Sequence, residues 1–474
     1  MNRGAVIALV CAVAVIGGCG RRPSPPASGA HLVKRSELTA NEVKYGMAPT
    51  RSAAVTYQPN VVIVEGGADI IRGLSDNGLV WTIDASARGA SDVAVGKIIF
   101  VTGRAVGKVL GVQRQGNAMS VVIGPALLNE IFENAHFTGS QDVDFGEAIQ
   151  YTAPDYPGQS IPMAPQSARI AEPAAPRVVL VSDGQAPPPA APAPVALKFR
   201  VYPVVGSSGV GMRISSSVPH LTMAAQATVH INKPHLYFDI LIKGGEILTV
   251  ELVLDGAAGL TWTFEAGTDT GMNANVNERL TPNSDFSIPI TGIGAPLAIT
   301  VRQTLIVTTS LGVKDTTLKA VGDYTFGGSF RVGYRNKAFE IAGPTSFSTR
   351  QDIAQSLDGL SLGVAGMNLA HQMKVVVGVG AFGFAAGPYF NFSSGLGAVK
   401  SSAIGMIPCN AATFTLGLTA GVGYLIPKSI TSAINFFLRA LNVKEIAGEG
   451  GIEPKAMNII NKTTYHPQSN ACRQ

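Results

Sequence analysis

Apolar and polar residues alternate along much of this chain with a period of two, the spacing that places every second side chain on one face of a β-strand. The cleanest run is Thr413 to Tyr424. Phe414, Leu416, Leu418, Ala420, Val422 and Tyr424 share one face, and Thr413, Thr415, Gly417, Thr419, Gly421 and Gly423 share the other. A hairpin is expected where Leu236, Phe238, Ile240 and Ile242 alternate, Lys243-Gly244-Gly245-Glu246 turns, and Leu248, Val250, Leu252 and Leu254 return. Leu260, Trp262 and Phe264 continue the pattern after a turn expected at Gly256–Gly259. Further strands are expected in LAITVRQTLIVTTSL, TTLKAVGDYTFGGSFRVGY and AFEIAG. Nearer the N-terminus, NVVIVEGG, LVWTIDA, KIIFVTG, KVLGVQR and MSVVIG are short β-rich runs separated by Gly, Asn and Asp turn residues. Such close spacing predicts a small barrel or sandwich.

Two segments have helical spacing instead. PALLNEIFENA, from Pro125, puts Leu127, Ile131 and Phe132 on one face, with the proline suited to a first turn. After Pro427, Ser429 is a candidate N-cap, and Ile430, Ala433, Ile434, Phe437, Leu438 and Leu441 recur as one buried stripe. The segment 154–194 carries eleven prolines and cannot form central strands or helices. No repeat of fixed period is present. The expected fold is therefore mainly β. A polar, aperiodic tether over 19–50 precedes a small β-domain over 51–150, a Pro-rich linker over 151–196, and a larger β-rich domain over 197–474 with a C-terminal amphipathic helix.

The extreme N-terminus changes the picture of where such a fold would work. Arg3 precedes an apolar run from Ala5 to Ile16, followed by small residues, the order of a secretory signal peptide over residues 1–18. The run is shorter than the roughly 20 residues needed to span a bilayer core. Ile16-Gly17-Gly18-Cys19 resembles the lipobox of bacterial lipoproteins. That resemblance covers these residues alone. It implies diacylglycerol on the Cys19 thiol and an acyl chain such as palmitate on its new amino group. Gly20, where an inner-membrane retention signal would place Asp, points to the outer membrane.

Composition adds limits. Only 14% of residues are charged, and 54 glycines favour tight turns over helices. Loss of Arg3 with the signal lowers the net charge from +5 to +4, and Lys and Arg are scattered without aromatic interleaving. Nucleic acid is not an expected partner. Of the four cysteines, Cys11 leaves with the signal and Cys19 takes the lipid. Cys409 and Cys472 remain as an even pair, expected to form a disulfide that pins the C-terminal tail. Free thiols or a metal site are the alternatives, the latter weakened by the lack of nearby histidines.

The motifs that could carry chemistry fail on context. Gly378 to Gly383 spells GxGxxG, but Gly387-Pro388 would break the helix a dinucleotide site requires, and no Asp or Glu occurs from Gly359 to Lys444. Gly359-Leu360-Ser361-Leu362-Gly363 spells the nucleophile elbow GxSxG without its strand–turn–helix setting, and His371 or His466 would have to act as base. His220, His230 and His235 lie close in sequence, yet five-residue spacing puts the last two on opposite strand faces. GRAVGKV at Gly103 departs from the phosphate-loop pattern. No catalytic residue, metal set or cofactor is expected. The acid-free stretch 359–444 fits a buried sheet, with a lipid-facing barrel as the alternative. The expected function is a lipid-anchored envelope protein with a non-enzymatic structural or binding role, whose ligand is an envelope protein, lipid or glycan. A pore or lipid-handling protein is the second expectation, and a hydrolase on Ser361 the third.

Overall fold

The computed structural model describes residues 30–75, 78–152, 161–162, 199–218, 220–270, 277–280, 284–311, 314–360, 363–381, 384–402, 408–425, 435, 438–439, 445, 449–469 and 472. The fold is mainly β, as the alternation predicts. Among the described residues, two ten-stranded sheets and one six-stranded sheet account for the architecture. The main path of the first sheet runs His31–Leu32, Ser284–Thr291, Leu297–Leu311, Gly363–Ala381, Phe384–Ser402, Cys409–Leu425 and Glu449–His466. That of the second runs Phe199–Gly206, Gly209–Val218, Leu221–Lys243, Glu246–Thr268, Thr316–Gly327 and Ser346–Gln351. Every pairing along both paths is antiparallel.

The inner faces of these two sheets bury one continuous apolar core. Phe414, Leu416, Leu418, Ala420 and Val422 all lie in it, while Thr413, Thr415, Gly417 and Thr419 face outward and stay half-buried. Across the core, the Tyr324 ring stacks on Phe414 at 4.1 Å between centroids, and Phe330 meets Phe392 edge-on at 5.3 Å. The expected hairpin forms, with Lys243 opposite Glu246, but its strands run on to Leu221–Lys243 and Glu246–Thr268. Two sequence expectations need correction here. No turn occurs at Gly256–Gly259; the strand passes through with a bulge against Ile231–His235. Gly256 has φ +91°, and a Cβ there would sit 2.4 Å from the Asn232 carbonyl oxygen, so the bulge requires glycine. A further register shift between Leu241 and Ile242 brings Ile247 inward and leaves Leu248 37% exposed.

The six-stranded sheet runs Val61–Ile63, Ile98–Phe100, Val106–Gln115, Ala118–Gly124, Val80–Asp84 and Ile71–Leu74. Its own core gathers Trp81, Ile83, Val109, Met119 and Val121. The strand Ile98–Phe100 is apolar on both faces because it serves two cores. Ile99 points into the small one, and Ile98 and Phe100 point into the large one, where Phe100 meets Tyr57 and Phe132. The helix expected from Pro125 is confined to one turn, Leu128–Ile131; from Phe132 the chain becomes strand Phe132–Asp142 and joins the second sheet. Burying Phe132, Ala135 and Phe137 outweighs the weak helical pattern.

Residues 30–45, expected to belong to a tether, are docked. His31–Leu32 pairs with Ser284–Thr291, and Thr39 and Glu42 cap the helix Ala40–Tyr45 reciprocally. Tyr45 then packs edge-on against Trp81 at 6.2 Å. The Pro-rich 163–196 lies outside the described residues, as does most of the helix expected after Pro427. Of that helix, Asn435, Leu438 and Arg439 are described as helical, and Leu438 is buried in the small core. Cys409 and Cys472 form a disulfide across 63 residues of sequence, with Cα atoms 5.4 Å apart.

Phe414→Ala is expected to lower stability by about 3–5 kcal/mol in urea unfolding, because it empties a stacked aromatic site. Thr415→Ala, on the outer face of the same strand, should change it by less than about 1 kcal/mol. Replacing both Cys409 and Cys472 by serine should cost about 2–4 kcal/mol in the same measurement.

Candidate functional site

The residues singled out in the sequence scatter over the fold. Cys19 and Ser361 lie outside the described residues. Gly378 and Gly380 sit within the strand Gly363–Ala381, and a Cβ on Gly378 would come 2.0 Å from the Ala386 carbonyl oxygen. Gly378 thus permits close approach of the neighbouring strand, and Gly378 and Gly380 lie inside a strand where a phosphate site would need a turn into a helix. The three histidines separate, too. His220 bonds Asp269 at 2.8 Å, and His230 bonds the Thr261 hydroxyl at 2.7 Å. Among the described residues no group of three or more His, Cys, Asp or Glu side chains could hold a metal ion.

His235, on the outer face of the second sheet, has a hydrogen-bond partner at each ring nitrogen. The strand Phe132–Asp142 pairs antiparallel with Leu221–Lys243, setting His235 opposite Asp142 and Tyr237 opposite Ser140. Phe137 turns inward, and a Cβ on Gly139 would meet the buried Phe238 ring at 2.5 Å. His136, Ser140 and Asp142 are left exposed on the other side. His235 Nδ1 lies 2.7 Å from Asp142 Oδ1, and its Nε2 lies 2.9 Å from Ser140 Oγ. Along the same face His136 Nε2 bonds Asp239 at 3.0 Å, and Arg331 pairs with Glu251 at 2.7 Å. Burial raises the Tyr237 phenol above its ordinary range, and the Asp239 and Glu251 carboxylates push it the same way. Sequence inspection missed this row, because only the pairing register unites residues 95 positions apart.

A second polar group is enclosed between the sheets. His371 is fully buried, with Gln303 at 1% exposure and Ser394 at 2% beside it. His371 Nε2 meets Gln303 Oε1 at 3.0 Å, Ser394 stands directly across the strand pair, and the Trp262 ring lies edge-on at 6.3 Å. Trp262 Nε1, Gln303 Nε2, His371 Nδ1 and Ser394 Oγ have no hydrogen-bond partner. Burial pulls His371 down to about 4, since a charged imidazolium there would lose its hydration without a counter-charge.

A third group marks the seam with the small sheet. Arg302 clasps Asp285 through two bonds of 2.8 and 2.7 Å, and the Arg104 guanidinium lies 3.5 Å over the Tyr151 ring. Burial works to raise Asp285, but Arg302 and then Arg104 outweigh it and hold the carboxyl below its usual range. Neighbouring Lys374 packs its ammonium 3.6 Å from the Tyr389 ring. These contacts are those of a structural seam.

A family model described as a domain of unknown function (DUF8402) matches residues 183–454, and another so described (DUF8403) matches residues 41–134. No curated protein and no solved structure matches the chain.

The buried imidazole makes stability depend on pH. The unfolded chain binds a proton at His371 below its ordinary value of 6.5, whereas the folded chain resists until about 4. Stability should therefore fall as pH drops from 6.5 toward 4, by an amount on the order of 3 kcal/mol, and level off below. Chemical unfolding across that window checks this. The His371→Met protein should lose that part of the slope.

Proposed function

The chain belongs to the family defined by the domain of unknown function DUF8402, and we propose that it is an exported lipoprotein whose β body serves as a non-enzymatic scaffold or binding surface at the bacterial envelope. The observation that carries this reading is the disulfide between Cys409 and Cys472. Such bonds persist in oxidising compartments, and this one consumes both cysteines downstream of the lipobox-like segment. That leaves Cys19, behind Ile16-Gly17-Gly18, as the acceptor for the lipid, and Gly20 favours delivery to the outer membrane.

The inward face of Cys409–Leu425 also supports an anchored body over a pore. In a membrane barrel the large residues of alternating strands face lipid, and the small polar ones line the lumen. Here Phe414, Leu416 and Leu418 pack inside against the facing sheet, and the Thr/Gly row is the outer one. Partners of such a body are an envelope protein, a lipid or a glycan reaching its outer faces, with the membrane bound through the N-terminal lipid.

Metabolic labelling with an alkynyl fatty acid should tag the wild-type protein, and Cys19→Ala should abolish both the tag and the mobility shift of signal removal. An exported wild-type chain that carries no tag would end the lipoprotein reading.

A further inference from the structure

We propose that Ser140 is an activated nucleophile for ester chemistry, with His235 as its general base and Asp142 as the residue that positions the base. This goes beyond the preceding subsection: it replaces the non-enzymatic part of that reading with a reaction on the same scaffold, and it does not depend on the lipid. An ionised Asp142 can only accept, so the short contact at 2.7 Å requires His235 Nδ1 to carry the hydrogen. In the neutral ring Nε2 is then the lone-pair nitrogen, and Ser140 must donate its hydroxyl hydrogen across 2.9 Å. That is the tautomer and polarity by which an imidazole removes a serine proton.

The pleat supplies the spacing. Ser140 and Asp142 are two apart on one strand, so they share a face, and His235 reaches both from the neighbouring strand. Asp255 stands opposite His235 on its other flank, which adds a second carboxylate near an imidazolium as it forms. Ser140 is exposed, so a substrate can reach its oxygen. The side chain of Asp142 is 88% exposed and that of His235 37%, so the site is open. It fits an ester carried on an extended molecule lying along the sheet better than a small enclosed ligand.

The step balances with water as the co-reactant. As Ser140 Oγ bonds to the ester carbonyl carbon, its proton moves to His235 Nε2. The carbon–oxygen bond to the alcohol then breaks, and the departing alcohol takes that proton. Water attacks the acyl-serine next, gives one proton to His235, and Ser140 leaves with it, restoring the free hydroxyl and releasing the carboxylic acid.

The test treats the full exported protein with a fluorophosphonate probe and with p-nitrophenyl acetate, and maps adducts by peptide mass spectrometry. An adduct on Ser140 is expected, lost in Ser140→Ala. His235→Ala should slow labelling by about 100-fold, the low end for a general base as befits a solvated site, and added imidazole should restore part of it. Asp142→Asn should slow labelling, while Asp142→Glu keeps most of the rate. Exposed positions should leave the melting temperature unchanged, which separates these effects from unfolding. A wild-type protein without an adduct at Ser140, or one labelled equally fast in His235→Ala, would reduce the trio to a surface hydrogen-bond network and overturn the proposal.

Discussion

The structure rests on closing two long antiparallel sheets face to face. Each strand has one apolar face, and only a second apolar face can keep it from water. Trp262 and Phe264 on one side and Leu369, Phe392 and Leu416 on the other meet in that space. Once the inner faces are committed, every alternate residue is forced outward. That is why the outer surfaces carry rows of Thr, Ser, Asn and charged groups. The same rule makes the enclosed His371 exceptional, for it occupies an inward position normally given to a hydrocarbon.

Much of the local fold was legible from the sequence. The run from Thr413 to Tyr424 predicted its strand and its buried face, because large and small residues alternate there without interruption. The hairpin about Gly244-Gly245 was legible for the same reason. Bulges were less so. One extra residue reverses the two faces, and nothing in the letters marks that Ile247 and not Leu248 turns inward. The docking of residues 30–45 was hidden by a polar composition, although Thr39 and Glu42 hold the spacing of a capping box. Phe132–Asp142 was read partly as helix because four residues of helical spacing precede it.

Chemistry was harder to see than topology. The sequence motifs GxGxxG and GxSxG are contiguous, and contiguity is cheap in a chain with 54 glycines. The hydrogen-bonded arrangement of Ser140, His235 and Asp142 is not contiguous, and it exists only once Tyr237 stands opposite Ser140. A one-residue slip of that register would turn both Ser140 and Asp142 away from His235. Among the described residues, the groups brought together by pairing register are the ones whose polar geometry is best defined.

The short strand Ile98–Phe100 has a consequence for how this chain can be divided. Its side chains alternate between two cores, so neither core is complete without it. The family matches at 41–134 and 183–454 suggest two modules, yet Phe100 and Phe132 from the first segment pack in the core of the second. Leu438 from the second segment lies in the core of the first. The two segments thus exchange hydrophobic residues in both directions. Inheritance as a pair follows from that exchange: a recombination event that moved one segment alone would leave apolar side chains exposed on both products.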